Sequence, residues 1–173
     1  HGESEWHAEN RYAGSSDVGL TDLGRRQGHG LAEWAREARP DAVWSSPLRR
    51  ARETAEPSAE VLGTPLRVDE RLRELDFGVA EGLTRDEMRR RFPDDLDAFL
   101  ADPVAGSFPR GEDPHVGVER FTGCLRELAA SYAGGRVLVV AHSTVVRLVL
   151  CALLGIDPAR YREVMPELGN CTL

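Results

Sequence analysis

The chain has 173 residues, of which 41% are hydrophobic and 29% are charged, and its net charge is -7 at pH 7. This length and composition predict a single globular domain with a sizeable core, and the acidic balance gives no reason to expect nucleic acid or an anionic membrane as a partner. All 22 basic residues are arginine, so any cationic anion site must use guanidinium groups. A guanidinium can donate two parallel hydrogen bonds to two oxygens of one phosphate.

Helix and strand signals alternate in the first half of the chain. Thr21 or Asp22 would cap a helix that ends near Pro40. Beyond it the pattern predicts, in order, a strand over 41–46, a helix over 48–62 stopped by a glycine, and a short strand over 66–68.

The character of the sequence changes at Thr84. Thr84 and Glu87 resemble a capping box, and polar helical segments rich in arginine follow as far as Leu100. We expect residues 84–114 to form a helical flap that ends in a loop rich in proline and glycine. The rest of the chain predicts a helix over 115–132, a buried strand over 136–141 and a helix over 143–154.

This alternation predicts one α/β domain over 1–173, with three layers (α/β/α), a mainly parallel central sheet and the helical flap as an insertion. In such sheets, ligands bind beyond the carboxyl ends of the strands. The residues expected to converge at that edge are His1, Ser45, Ser46, His142 and Ser143.

Four segments carry the residues for a defined chemistry: His1-Gly2-Glu3-Ser4, and residues 45–55, 74–82 and 137–143. Together they resemble, in order and almost end to end, the motifs of the histidine phosphatase (phosphoglycerate mutase-like) superfamily, branch 1. The resemblance implies a metal-independent phosphatase that needs no cofactor and hydrolyses a small phosphomonoester through a phosphohistidine intermediate. Its partner would be a small phosphorylated metabolite, and the sequence leaves open which one.

The resemblance implies four catalytic residues. His1 would be the nucleophile, and Arg50 would bind the phosphate. His142 would be a second pocket histidine that, if protonated, donates a hydrogen bond to the phosphoryl group. Glu74 would act as general acid and then as general base. Residue type alone leaves rivals open, which are Arg49 and Arg52 for Arg50, and Asp76, Glu81 and Glu3 for Glu74.

The same resemblance implies a set of substrate-binding residues: Gly2, His7, Arg11, Gly14 and Ser143. His7 stands where the family commonly has asparagine, and Ser143 stands where it usually has glycine. We expect the Ser143 hydroxyl to cap the following helix rather than to bind phosphate, with the helix N-terminus favouring an anion.

Two other functions stay open: a phosphoglycerate mutase, and a non-catalytic phosphate-binding module on the same fold. The family's first strand and a final strand are expected to lie outside this sequence. We see no signal peptide, and Cys124 and Cys151 are expected to be buried and reduced, which favours a cytoplasmic location. The sequence indicates no metal site, no membrane partner and no particular oligomeric state.

Overall fold

The computed structural model describes residues 1–173. It contains eight α-helices, which are α1 (Glu5–Ala8), α2 (Asp22–Ala38), α3 (Arg49–Leu62), α4 (Arg85–Arg91), α5 (Pro93–Ala101), α6 (Pro114–Ser131), α7 (Ser143–Leu153) and α8 (Tyr161–Val164). Its three strands are β1 (Ala42–Ser45), β2 (Leu66–Val68) and β3 (Val137–Val140). None of the helices combines the length and the apolar character that a membrane span requires.

The sheet is parallel, with the strand order β2-β1-β3. Val43 in the central strand aligns with Leu66 on one side and with Leu138 on the other. A connection through a helix separates each strand from the next, as parallel pairing requires. The predicted parallel sheet is therefore confirmed.

Side chains alternate between the two faces of the sheet, and each face is covered by helices. Val43, Leu138 and Val140 pack against α2 and α3 on one face. Trp44 and Val139 lie with the helices α6 and α7 on the other. This arrangement is the three-layer α/β/α fold that the sequence predicts.

The predicted helix ends agree with the structure, whereas the predicted strands are longer than the observed ones. The Thr21 hydroxyl accepts the Gly24 N–H at 3.1 Å and caps α2, and Gly63 ends α3 with a φ of 63°. The strands predicted over 41–46 and 136–141 cover 42–45 and 137–140. Backbone hydrogen bonds continue one residue beyond them, so the difference lies in the frayed ends of the ladder.

The segment predicted as the flap contains α4 and α5, followed by a loop that leads to α6. Met88, Leu96, Phe99 and Phe108 bury their side chains in a cluster that continues to Leu148 on α7. This shared apolar cluster attaches the flap to the domain next to the carboxyl edge of the sheet.

Three chain segments meet at that carboxyl edge. The Ser46 N–H donates to the Val140 carbonyl at 3.0 Å, and the backbone nitrogen of His1 lies 3.2 Å from the Ala141 carbonyl oxygen. His1, Ser46 and His142 are thereby held at one end of the sheet.

The capping box of α4 generates a prediction about stability. The Thr84 hydroxyl accepts the Glu87 N–H at 3.2 Å, and the Glu87 carboxylate accepts the Thr84 N–H at 2.8 Å. Thr84→Ala should lower the free energy of unfolding by about 1 kcal/mol, because the Glu87 N–H at the helix start loses the hydroxyl that accepts it. Urea denaturation measures the change. Thr84→Ser, which keeps the hydroxyl, should lose much less, and equal losses in the two variants would contradict the capping role.

Candidate active site

His1 is fixed by its own backbone neighbour. Its Nδ1 lies 2.6 Å from the Gly2 carbonyl oxygen. Because a carbonyl oxygen only accepts, this contact assigns the proton to Nδ1 and leaves the lone pair on Nε2. Gly2 in turn donates its N–H to the Thr54 hydroxyl at 3.0 Å, and a Cβ on Gly2 would lie 2.4 Å from the Gly24 carbonyl oxygen. Gly2 therefore allows the close packing that orients the His1 imidazole.

His142 lies against His1, with ring centroids 5.0 Å apart and ring planes at 61°. It is only 1% exposed, and its Nε2 lies 2.7 Å from the Ser46 hydroxyl. Its Nδ1 is buried without a hydrogen-bond partner. Burial, reinforced by the nearby Arg50 guanidinium, holds the pKa of His142 well below its ordinary value of 6.5. The ring is therefore neutral near pH 7 and can donate from one nitrogen only.

Arg50 is the buried arginine of this region, at 1% exposure. Its terminal nitrogens donate to the carbonyls of Ala13, Gly14 and Ser16 at 2.8 to 3.0 Å, while its Nε is buried without a partner. Burial lowers the pKa of Arg50 below its ordinary value, and the carboxylates of Glu74 and Glu81 oppose that shift. A guanidinium nonetheless keeps its charge in proteins.

The rival arginines lie elsewhere. Arg49 pairs with Glu53 at 2.5 Å on the surface, and Arg52 is exposed. The structure thus places only one of the three arginines, Arg50, inside the site.

Glu74 is 4% exposed and lies in the loop over 73–77, called the acid loop below, which it joins to the start of α7. Its Oε1 accepts the N–H groups of Leu75 and Val145, and its Oε2 accepts that of Thr144, each at 2.9 Å. The carboxylate therefore occupies the electropositive helix N-terminus.

This arrangement corrects the expectation for Ser143. The residue at the N-cap position is His142, without a side-chain cap bond, and Ser143 is the first residue of α7. The hydroxyl cap is absent because the Glu74 carboxylate takes the N–H groups that a cap would satisfy.

The rival carboxylates have other partners. Asp76 accepts the Gly78 N–H at 2.7 Å, and Glu3 accepts the Thr21 hydroxyl at 2.7 Å. Glu81 accepts hydrogen bonds from the backbone and hydroxyl groups of Ser15 and Ser16. Burial by itself would raise the pKa of Glu81, but these hydrogen bonds outweigh it and lower the pKa below its ordinary value of 4.5.

The remaining predicted residues differ in their distance from the two histidines. The His7 ring stacks on His1 with centroids 5.4 Å apart and ring planes at 23°. The Gly14 carbonyl accepts from Arg50. Arg11, in contrast, forms ion pairs with Glu9 and Glu87, both at 2.7 Å. Its guanidinium therefore lies between two carboxylates rather than beside His142.

An open cavity of about 400 Å³ adjoins this cluster. His1, His7, Glu74 and Ser143 line one end of it. Aromatic and arginine side chains make up most of the rest, which are Tyr12, Phe77, Phe99, Tyr161, Arg11, Arg85, Arg147 and Arg162. A small organic ester fits beside His1 in a space of this size.

Sequence reasoning missed Arg120, which holds the acid loop from behind. Its guanidinium donates to the carbonyls of Arg71, Arg73 and Glu74 at 2.6 to 3.1 Å, and to both carboxylate oxygens of Glu112 at 2.7 and 2.8 Å. All five of its N–H groups are therefore used. No local pattern reveals this role, because Arg120 looks like one more polar residue on the amphipathic helix α6.

Similarity to known proteins shows which family this chain belongs to. The family model of the histidine phosphatase superfamily (branch 1) matches residues 1–173. The chain belongs to this superfamily. Phosphoserine phosphatase 1 of Hydrogenobacter thermophilus is 32% identical over 161 residues, covering 93% of this chain and 76% of that protein.

Two further relatives show the range of this histidine phosphatase family. A probable phosphoglycerate mutase GpmB of Klebsiella pneumoniae is 35% identical over 173 residues, covering 100% of this chain and 80% of that protein. The solved structure of a mycobacterial glucosyl-3-phosphoglycerate phosphatase with VO3 superposes with a TM-score of 0.90 at 30% identity, covering 99% of this chain and 85% of the other. The family match and the relatives named as phosphatases show that this histidine phosphatase is a hydrolase that acts on phosphomonoesters.

The pair of Arg120 and Glu112 predicts a pH-dependent stability. Burial would raise the pKa of Glu112, but the hydrogen bonds and charge of Arg120 outweigh it, so the folded-state pKa lies below the ordinary 4.5. A depressed carboxylate pKa contributes stability above the unfolded pKa, and that stability is lost as the pH falls through the folded pKa. Glu112→Gln should therefore be less stable than the native protein by about 2 kcal/mol at pH 7, and the difference should shrink below pH 4.5.

Urea denaturation at several pH values between 7 and 3.5 measures this difference. Glu167→Gln, at an exposed position, is the matched control and should not differ from the native protein at any pH. A constant difference between Glu112→Gln and the native protein at all pH values would contradict the ion-pair account.

Proposed function

We propose that this chain hydrolyses small phosphomonoesters without a metal, by transferring the phosphoryl group to Nε2 of His1 and then to water. The observation that supports it is a pair of buried nitrogens without protein partners, Nδ1 of His142 and Nε of Arg50, in the cluster around a histidine whose own Nδ1 is already bonded. The Ser46 hydroxyl accepts the Leu48 N–H and can donate to Nε2 of His142, which leaves the ring proton on Nδ1. Buried polar atoms are rarely left unpaired, and phosphoryl oxygens would pair both.

In the first step, the lone pair on Nε2 of His1 attacks phosphorus in line while the bond to the leaving oxygen breaks. Negative charge spreads over the equatorial phosphoryl oxygens, where Arg50 and His142 would stabilise it. Both groups are held rigidly, by loop carbonyls and by Ser46 respectively, so little reorganisation opposes the reaction.

Glu74 would handle the protons. It would give one to the leaving alkoxide, and in the second step it would take one from the water that attacks the phosphohistidine. Its three backbone N–H bonds fill three of about four acceptor positions of a carboxylate, which leaves one for this proton. When the P–N bond breaks, inorganic phosphate leaves and His1 returns to its neutral state.

The acidic chain and the modest cavity support a small phosphorylated metabolite rather than a nucleic acid as substrate. Buried, unpaired Cys124 and Cys151 support a reducing, cytoplasmic location. Mutase activity is the alternative, because some relatives are named as probable phosphoglycerate mutases. Interconversion of 2- and 3-phosphoglycerate without release of phosphate would replace the phosphatase proposal by a mutase.

The nucleophile is tested with the full-length protein. Release of phosphate from a panel of small phosphomonoesters should persist in EDTA, and His1→Ala should reduce it by about 10³-fold or more. His29→Ala, at an exposed position on α2, is the matched control and should keep full activity. Release that EDTA abolishes, or that is indifferent to His1, would overturn the proposed mechanism.

The role of Glu74 predicts which step fails when the carboxylate is lost. With p-nitrophenyl phosphate, whose leaving group needs no proton, Glu74→Gln should be phosphorylated normally and then hydrolysed about 10²-fold or more slowly. A burst of nitrophenolate and trapped phosphohistidine would be seen. Asp76→Asn tests the rival carboxylate and should give no burst. A burst from Asp76→Asn, or none from Glu74→Gln together with unchanged turnover, would reassign the base.

A further inference from the structure

The cavity beside His1 has a charge opposite to that of the chain. Four arginines and one glutamate line it, whereas the protein as a whole carries a net charge of -7. The phosphoryl-binding candidates Arg50 and His142 are not among the lining residues, so the positive charge lies on the side where the rest of a substrate would sit.

Arg147 is held at the cavity by two backbone carbonyls. It lies four residues after the start of α7, about 6 Å along the helix axis from Ser143. Its Nε donates to the Ser143 carbonyl and its NH1 to the Met165 carbonyl, both at 3.1 Å. Its guanidinium carbon lies 4.6 Å from the centroid of the Tyr161 ring. The head group is thereby fixed while three of its five N–H groups have no protein partner.

Arg162 is held in a similar way from α8. Its Nε donates to the Tyr161 hydroxyl at 3.1 Å and its NH1 to the Phe99 carbonyl at 3.0 Å. Its guanidinium carbon lies 4.4 Å from the Phe99 ring and 5.3 Å from the Tyr161 ring. It too keeps three N–H groups without a protein partner.

The two arginines share the buried Tyr161 ring, and neither has a carboxylate within ion-pair distance. Arg11, which also lines the cavity, has two carboxylates within that distance. Glu74, the one acidic residue that lines the cavity, already accepts three backbone N–H groups. Both guanidinium carbons lie within 5.3 Å of the Tyr161 ring centroid, and an anion bound near both offsets the repulsion between two cations that have no counter-ion.

We propose that Arg147 and Arg162 form a subsite for a second anionic group, a carboxylate or a second phosphate, on the leaving portion of the phosphomonoester. The subsite rests on the proposed function, since it assumes that the ester is cleaved at His1. It selects substrates with two anionic ends: the phosphoryl group lies at the two histidines, and the other anion lies on the Tyr161 side of the cavity.

The test compares esters that differ in one anionic group. 3-Phosphoglycerate against glycerol 3-phosphate tests the carboxylate, and fructose 1,6-bisphosphate against fructose 6-phosphate tests the second phosphate. For at least one pair, kcat/KM should favour the doubly anionic ester about tenfold or more. Arg147→Gln and Arg162→Gln should each remove most of that preference while changing kcat/KM for the singly anionic ester less than about threefold. Arg126→Gln, at an exposed position on α6, is the matched control and should keep the preference.

A conservative variant and a binding measurement separate this proposal from a loss of folding and from a failure of the catalytic proposal. Arg147→Lys keeps the charge and should retain part of the preference. Calorimetric binding of the same esters to His1→Ala should show the same preference without turnover. A preference in binding with no phosphate release by the native protein would sink the catalytic proposal and keep the subsite. Equal binding of both members of each pair, or equal losses for both in the arginine variants, would overturn the subsite.

Discussion

The contact between the Glu74 carboxylate and the first N–H groups of α7 fixes the geometry of the whole site. It connects the acid loop to the helix that follows His142, so the candidate acid and the second histidine cannot move independently. A carboxylate at a helix N-terminus is favoured both by hydrogen bonding and by the helix dipole. Arg120 holds the same loop from its other side by bonding the carbonyls of Arg71, Arg73 and Glu74, which fixes the backbone that carries the Glu74 side chain.

A second constraint comes from the buried Arg50. Its guanidinium is placed by three carbonyls of the loop over 13–16, and that loop is itself ordered by the hydrogen bonds that Glu81 accepts from Ser15 and Ser16. A charge inside a protein is tolerated when its hydrogen bonds are nearly complete. The unpaired Nε of Arg50 is the exception, and it lies in the cluster where a phosphoryl group would bring oxygens.

One end of the cavity carries the candidate catalytic residues, and the other carries residues suited to substrate recognition. The edge of the sheet supplies histidines and a carboxylate on rigid backbone, which suits bond making and breaking. The flap and α8 supply aromatic rings and arginines, which suit recognition of the leaving group. The flap shares an apolar cluster with α7. The residues suited to recognition are therefore held in a fixed position relative to the candidate catalytic residues at the carboxyl edge of the sheet.

The sequence alone determined the fold class, the order of elements and the candidate catalytic residues. Cap residues such as Thr21 and Gly63 act locally, and apolar runs such as residues 137–140 form strands wherever helices cover them, so both are readable without coordinates. Only the tertiary structure decided what each charged group faces. It put Arg50 inside and Arg49 outside, gave the N-terminus of α7 to Glu74 instead of Ser143, and left Arg147 and Arg162 without counter-ions. The burial of Arg50 and the place of Glu74 depend on contacts between residues tens of positions apart, such as Arg50 with Ser16 and Glu74 with Thr144, and neither residue type nor spacing encodes such contacts.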